Sequence, residues 1–502
     1  MSHEPHDAEI ASDSRLLVPG TTTWRNARAD RLTPIVDAAA YFRHLRTALL
    51  HARSSVLFIG WEFDTRIKLA PDDPVAGLPE ELGPFLSELI HRRPGLSVRV
   101  LQWNLGLLGT LLRGTTPFYL LNWMSARRFT FRLDGAHPAG ASHHQKIVVI
   151  DDVLAFCGGI DVTDDRWDTS EHRDGDGHRV RPSGRTYAPF HDATVAVDGD
   201  AAAALGDLAR ERWRRATGER IAPPAPAKHD TWPAGLAPLL RDVEVGITRT
   251  EPAYRDRPAI REVEQLYLAA IQRARRTIYF ESQYFAARCI VEALAGRLAE
   301  TNPPEVVIVN PDRARGWLEE SAMGRGRTRA LHYLAAADHS GRCRFYQPIT
   351  AGGAPIYVHA KVMIVDDDVL RIGSSNLNNR SMGFDTECDL AVEAAGMPGR
   401  EAAFAATVRA FRARLLAEHL GTVAEVVEVA VQDDGGSLIR TIEQLRARGG
   451  KTLVPIEMPK SAGIVPLPDG ELLDPEQAEP VWRAAWHAAR GRIASLRRRA
   501  SS

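Results

Sequence analysis

The chain has 502 residues, of which 44% are hydrophobic and 25% charged, with a formal net charge of −1. That length predicts two or more domains with a large core, and the composition is that of a globular protein, excluding a collagen-like, low-complexity or disulfide-scaffolded chain. A near-zero net charge gives no global field to gather nucleic acid, although a local basic groove can hide in a neutral total.

Residues 1–30 begin MSHEPHDAEIASDSR, acidic and polar, without the basic and apolar regions of a secretory signal, and read as a leader. VDAAAYFRHLRTALLHARSS (36–55) spaces its apolar residues as an amphipathic helix and runs into the strand VLFIGWEFD (56–64). VRVLQWN (98–104) is a strand ending in Asn. LGLLGTLLRGTTPFYLLNWM (105–124) is broken by Arg113 and Gly-Thr-Thr-Pro, so it is too interrupted to span a bilayer. It reads equally as core under a loop or as a segment that dips into a membrane interface. The strand HHQKIVVIDD (143–152) and then VLAFCGGID complete a first repeat over 31–220.

IAPPAPAKHDTWPAG is rich in Pro and Ala and marks a linker, set at 221–245. A second repeat, 246–421, follows the same plan. AIREVEQLYLAAIQRARRT (259–277) is helical, then come the strands IYFESQYF (278–285), EVVIVNPD (305–312), VHAKVMIVDD (358–367) and VLRIGSSN. Helices alternating with apolar strands predict an α/β layered fold. Residues 422–502 form a C-terminal extension whose basic end, ARGRIASLRRRASS, reads as a solvated tail or as an attraction to anionic lipid. Cys157, Cys289, Cys343 and Cys388 are scattered without a C-x-x-C and read as free thiols in a reducing, cytoplasmic setting. No H-E-x-x-H or EF-hand spacing occurs, so no metal and no cofactor is expected.

The informative feature is a repeated spelling. His144, Lys146 and Asp151 share the spacing H-x-K-x-x-x-x-D with His359, Lys361 and Asp366. GGID (158–161) and GSSN (373–376) follow their histidines at the same interval. A repeat of about 215 residues is a duplicated domain and not a solenoid. On a strand, His and Lys two apart share a face, and a lysine there is costly to bury without a partner. Two such pairs brought together suit a phosphodiester: the ammonium groups hold phosphate oxygens, one imidazole attacks phosphorus, and the other protonates the leaving oxygen. Ser374 and Asn376 are candidate phosphate donors. Glu387 and, in the first half, Asp168 are candidate carboxylates to fix an imidazole tautomer. Asp161 stands where Asn376 stands and Gly159 where Ser374 stands, so the site is asymmetric. Asp151 and Asp366 point away from their histidines and are expected to anchor the following turn. Gln283 and Tyr284 are candidate walls of the site. Trp61, Trp103 and Trp167 are candidates to line an apolar substrate channel.

The paired motifs, with GWEFD, GGIDVTDDRWD, FHDATVAVDG, FESQYF and IGSSNLNNRSMGFDTE, resemble the phospholipase D superfamily in its phospholipase D and transphosphatidylase branch. The resemblance covers roughly residues 15 to 420. It implies two similar α/β sandwich domains, each a mixed sheet flanked by helices, with one active site at their interface. It also implies a phosphohistidine intermediate, with His144 as nucleophile and His359 as general acid. Ser282 stands where Asn would be expected. The implied substrate is a phospholipid at a membrane surface, with water or an alcohol as acceptor and no nucleic acid. One chain carries both motifs, so a monomer is expected, peripheral to the membrane. A cardiolipin synthase-type phosphatidyltransferase, a nuclease or other phosphodiesterase, and a non-catalytic binding module are the alternatives.

Overall fold

In the computed structural model the described residues are 15–104, 128–225, 229–313, 324–457 and 474–475. The first half supplies β1 (Arg25–Val36), β2 (Ser55–Gly60), β3 (Ser97–Trp103), β4 (Phe129–Asp134), β5 (Ile147–Ile150), β6 (Leu154–Gly158), β7 (Phe190–His191) and β8 (Ala193–Asp198). The second supplies β9 (Leu240–Glu251), β10 (Ile260–Arg261), β11 (Thr277–Glu281), β12 (Glu305–Val309), β13 (Cys343–Ile349), β14 (Tyr357–Val358), β15 (Val362–Val365), β16 (Val369–Gly373) and β17 (Glu387–Glu393). A last strand, β18 (Thr452–Ile456), pairs antiparallel with β13.

One mixed sheet runs through both halves in the order β18-β13-β12-β11-β15-β16-β17-β9-β1-β8-β6-β5-β2-β3-β4. The order is a palindrome about the antiparallel β1–β9 pair, which is how a duplicated sequence closes on itself. The HxK strands lie in the interior of each half, β5 between β2 and β6 and β15 between β11 and β16. Their sequences IVVI and VMIV are continuous apolar runs because both faces are buried.

One face of the sheet carries two separate cores, one per half: Phe42, Phe58, Phe85 and Val148 in the first, and Leu266, Phe280, Val291 and Met363 in the second. The other face carries a single core across both halves. There Ile147, Val195, Ile247, Ile364 and Leu390 pack under helices Gly199–Thr217 and Glu401–His419 through Leu205, Trp213, Phe404 and Phe411. The shared core holds the two motifs at a fixed separation.

Several expected boundaries shift. β1 begins inside the expected leader, and β9 begins inside the expected linker, because these strands pair with each other at the centre of the sheet. The C-terminal extension folds as helices Ala424–Asp433 and Leu438–Arg446 before adding β18 to the sheet edge. The 105–124 stretch and the basic C-terminal end lie outside the described residues. Among those described, no helix is long and apolar enough to cross a membrane.

Asp151 and Asp366 do different work from that expected. Each takes a left-handed φ, as does the Asp after it. The turn throws the carboxylate back onto the loop that precedes the neighbouring strand. Asp151 accepts from the backbone N–H of Arg53, Ser54 and Ser55 at 2.7 Å, and Asp366 from Arg275, Arg276 and Thr277 at 2.6–2.8 Å. They anchor the entries to β2 and β11, and neither lies in the site.

Candidate active site

The site is built where the halves meet edge to edge in two short parallel contacts. β14 pairs with β7, matching Tyr357 to Phe190 and Val358 to His191, so the next residues, His359 and Asp192, stand side by side. A parallel bridge matches His143 to Thr386, so the next residues there are His144 and Glu387. Both contacts are locked by backbone bonds, His359 N to His191 O at 2.7 Å and His144 N to Thr386 O at 3.0 Å. Each imidazole therefore takes its carboxylate from the opposite half. Nδ1 of His359 donates to Asp192 Oδ2 at 2.6 Å, and Nδ1 of His144 donates to the Glu387 carboxylate at 2.9–3.0 Å. Among the described residues Nε2 of each ring is left without a protein partner, and it is the nitrogen available for chemistry.

The register shows why these two acids are counterparts. Gly158 of β6 pairs with Thr194, and Gly373 of β16 pairs with Asp389, which places Asp192 and Glu387 at equivalent positions. The Gly159–Ser374 asymmetry then has a cause. A Cβ on Gly159 would lie 2.1 Å from Asp192 Oδ1, so only glycine admits that carboxylate. In the second half Ser374 Oγ donates to Glu387 Oε2 at 2.5 Å, and Ser381 Oγ donates to Oε1 at 2.7 Å.

Both lysines and His359 are buried, and His144 is partly exposed. Lys146 Nζ donates to His144 O at 3.0 Å and lies 3.3 Å from Asp161, whose other oxygen accepts from Trp61 N. Lys361 Nζ donates to His359 O and lies 3.4 Å from Gln283 Oε1. Burial, opposed by Asp192 and reinforced by Lys146, brings Lys361 down to about 7. Burial and the charges of Lys146 and Lys361 hold His144 well below its usual range, so its imidazole is neutral. His359 is depressed in the same way by burial, Lys361, Arg166 and Lys146. These mutual effects place the four motif side chains in one electrostatic neighbourhood. Burial raises Asp192 to about 6 and Glu387 to about 8.

Other expected site residues are placed unevenly. Asp168 is not an imidazole partner of the motif: its carboxylate accepts from His172 Nδ1, Arg179 and Phe190 N, because the stretch 169–189 loops back over it. Ser374 is fully buried and spent on Glu387, so it steadies the carboxylate and is not free for phosphate. Asn376 is buried with its side-chain oxygen, an acceptor, unpaired, so donation to phosphate falls to its Nδ2. Gln283 donates to the hydroxyls of Tyr284 and Tyr357, tying the expected wall to Lys361. Trp61 meets His144 edge-on at 6.4 Å, with Trp103 stacked behind it at 5.7 Å. Trp167 packs instead on His178, away from the histidine pair.

Two residues escaped the sequence reading. Asp192 lay unmarked in FHDATVAVDG. Arg166, in DDRWD, is almost buried over the Phe190 ring, and its charge reaches His359, Lys361 and Asp192. Cys157 and Cys388 carry free thiols that meet across the halves at 3.6 Å. A set of His and carboxylate donors that no local spacing announces also converges beside the site, at Asp37, His172, His191 and Glu418.

Comparison with known proteins gives a consistent relation. The family model described as phospholipase D matches residues 346–461. Phospholipase D alpha 4 of Arabidopsis thaliana is 24% identical over 485 residues, covering 74% of this chain and 62% of that protein. Phospholipase D alpha 1 of Nicotiana tabacum is 24% identical over 518 residues, covering 75% of this chain and 63% of its own. The aligned part thus spans somewhat under two thirds of the length of these relatives. Among solved structures, the phosphatidylserine synthase of Haemophilus influenzae Rd KW20 shares the fold, with a TM-score of 0.54 at 12% identity over 94% of this chain and 96% of that one.

Proposed function

We propose, from the premise that this chain belongs to the phospholipase D superfamily, that it cleaves the headgroup phosphodiester of a glycerophospholipid through a phosphohistidine intermediate. The observation that carries the reading is the crossed pairing, His144 on Glu387 and His359 on Asp192, around two lysines.

The chemistry follows from the protonation states. Nδ1–H bound to carboxylate leaves Nε2 of His144 with its lone pair, which attacks phosphorus. The bond from phosphorus to the headgroup oxygen breaks, and His359 supplies the proton to that oxygen. His359 is neutral in the free site and takes up a proton on Nε2 from solvent as the phosphodiester anion binds; Asp192, at about 6, is ionised at neutral pH and stabilises that imidazolium. In the second half His359 takes a proton from water, the water oxygen attacks phosphorus, and the P–N bond to His144 breaks. Phosphatidic acid leaves and both imidazoles return to their starting state. An alcohol replacing water gives a phosphatidyl alcohol. Lys146, Lys361 and Arg166 hold the non-bridging oxygens while charge develops on them. The Trp61–Trp103 pair flanks His144 with an apolar, stacked surface suited to the glycerol end of a lipid. The enzyme works as a single chain at the surface of a membrane facing the cytoplasm.

The test is release of phosphatidic acid from phosphatidylcholine and phosphatidylethanolamine vesicles, with ethanol added. Wild type is expected to give phosphatidic acid and phosphatidylethanol, and His144→Ala and His359→Ala to give neither. Wild type that is inert on every phospholipid yet cleaves a generic phosphodiester or DNA contradicts the substrate class.

A further inference from the structure

Four donors from distant parts of the chain converge beside the site: Asp37 before the first helix, His172 in the 169–189 loop, His191 at the end of β7, and Glu418 in the long helix Glu401–His419. Asp37, His172 and His191 are buried, and the side chain of Glu418 is 4% exposed. Their donor atoms all lie within 4.8 Å of one another. His191 Nδ1 is 2.7 Å from Glu418 Oε1 and 3.3 Å from Asp37 Oδ1; His172 Nε2 is 3.1 Å from the same Glu418 oxygen and 3.9 Å from Asp37 Oδ2. A tetrahedral ion bound at about 2.0–2.1 Å to nitrogen and oxygen donors sets those donors roughly 3.3 Å apart. The four histidine-to-carboxylate separations, taken to Asp37 Oδ1 from His191 and to Asp37 Oδ2 from His172, run from 2.7 to 3.9 Å on either side of that value.

The second ring nitrogens supply an independent argument. His172 Nδ1 lies 2.9 Å from Asp168 Oδ2, and His191 Nε2 lies 2.9 Å from Glu281 Oε2. Each histidine thus gives one N–H to a buried carboxylate, and its other nitrogen lies at hydrogen-bond distance from Glu418 Oε1, 2.7 Å for His191 and 3.1 Å for His172, so an ion would take the place of the proton there. This carboxylate–histidine arrangement is the usual outer support of a metal-ligating imidazole. Asp37 is held there at φ 66° and ψ 148°, a conformation nearly confined to glycine, so its side chain is kept in place against a backbone cost.

We infer that Asp37, His172, His191 and Glu418 form a closed, structural site for one divalent cation of the zinc class. Two imidazoles and two carboxylates suit zinc in ligand type, and their two negative charges balance the ion. Four protein donors and near-complete burial leave no open position for substrate, so the ion acts on structure. It ties the first half to the C-terminal helix of the second and fixes β7, whose next residue, Asp192, orients His359.

The test uses the full chain. Purified protein, dialysed against a zinc-free buffer, is analysed for metal by mass spectrometry, and protein unfolded in a chelator is refolded with Co2+. The inference predicts about one equivalent of zinc per chain and the intense visible bands of tetrahedral Co(II). Glu418→Gln is predicted to lose the bands, and Asp168→Asn to weaken zinc binding about 10–100-fold without removing a ligand. Wild-type protein that carries no zinc and gives no tetrahedral Co(II) spectrum overturns the inference, whatever the variants do. Zinc content unchanged in Glu418→Gln also overturns it, by placing the ion elsewhere.

Discussion

Gly159→Ala gives the sharpest test of how the carboxylates are placed. Gly159 has no left-handed φ, so alanine costs nothing in backbone conformation, and its stiffer unfolded chain favours folding by about 0.4–1 kcal/mol. The conflict is with one neighbour. The new Cβ would sit 2.1 Å from Asp192 Oδ1, 3.0 Å from Cγ and 3.2 Å from Oδ2, so the carboxylate must move by more than about an ångström to reach van der Waals distance. Asp192 is fully buried and is bonded to His359 Nδ1 and to Ala193 N at 2.8 Å, so movement breaks a charge-assisted bond in a dry place. Overpacking of about 1–3 kcal/mol and loss of a charged hydrogen bond of about 1.5–3 kcal/mol together predict a net destabilisation of roughly 2–5 kcal/mol. Turnover falls about 100-fold or more, because His359 loses the group that sets its tautomer. Urea unfolding followed by fluorescence and phosphatidic acid release are the assays. The reasoning also predicts a coupling: in an Asp192→Ala background the glycine substitution costs almost nothing further in stability, because its Cβ then has space. Gly158→Ala has no such rescue, since its Cβ would strike the Thr194 backbone at 2.4 Å. A Gly159→Ala enzyme with wild-type midpoint and turnover, or the same stability cost with and without Asp192, refutes the placement.

Glu387, raised to about 8, is largely protonated at pH 7 in the free site and ionises as His144 gains charge on attack; Glu387→Gln keeps the shape and removes that response. It is expected to lower kcat by about 100- to 10,000-fold, with little change in the Kd of a non-hydrolysable phospholipid analogue. Because Lys361 in the free site lies at about 7, an oxyanion that restores its proton should bind with an affinity that this lysine no longer makes pH-dependent below pH 7, leaving only the titration of Asp192 near 6. Above pH 7 binding must take up a proton, so the Kd of tungstate rises by as much as about tenfold per pH unit; calorimetry in two buffers of different ionisation enthalpy reads that uptake at pH 8. Asp366→Ala leaves three backbone N–H groups at the entry to β11 without their acceptor and is expected to destabilise by about 2–4 kcal/mol in urea with KM unchanged.

The sequence exposed what duplication writes in local spacing. The two HxK pairs, their following glycines and the alternation of helices with apolar strands predicted an α/β fold in two similar halves. Glu387 was legible as a carboxylate, but its partner was not, because that pairing runs through the bridge from His143 to Thr386. Asp192 was missed for a related reason. The first half carries the extra stretch 169–189 before it, so the interval from His359 to Glu387, laid off from His144, ends at His172 near Asp168, well short of the Asp192 that strand register gives. The seam between halves was blurred by Arg25–Val36 and Leu240–Glu251, which look like leader and linker until they pair. Asp37, His172, His191 and Glu418 are joined only by tertiary packing, which periodicity does not record.

The central claim is a division of labour, with His144 attacking phosphorus and His359 delivering the proton. It is tested most directly by changing the leaving group. A phosphodiester that releases p-nitrophenolate needs no proton on departure, so its cleavage should survive His359→Ala as a rapid burst of one product per site. Mass spectrometry of the acid-sensitive adduct should then place the phosphoryl group on His144. The same substrate should give no burst with His144→Ala. A burst restored in His144→Ala, or an adduct on His359, would contradict the account.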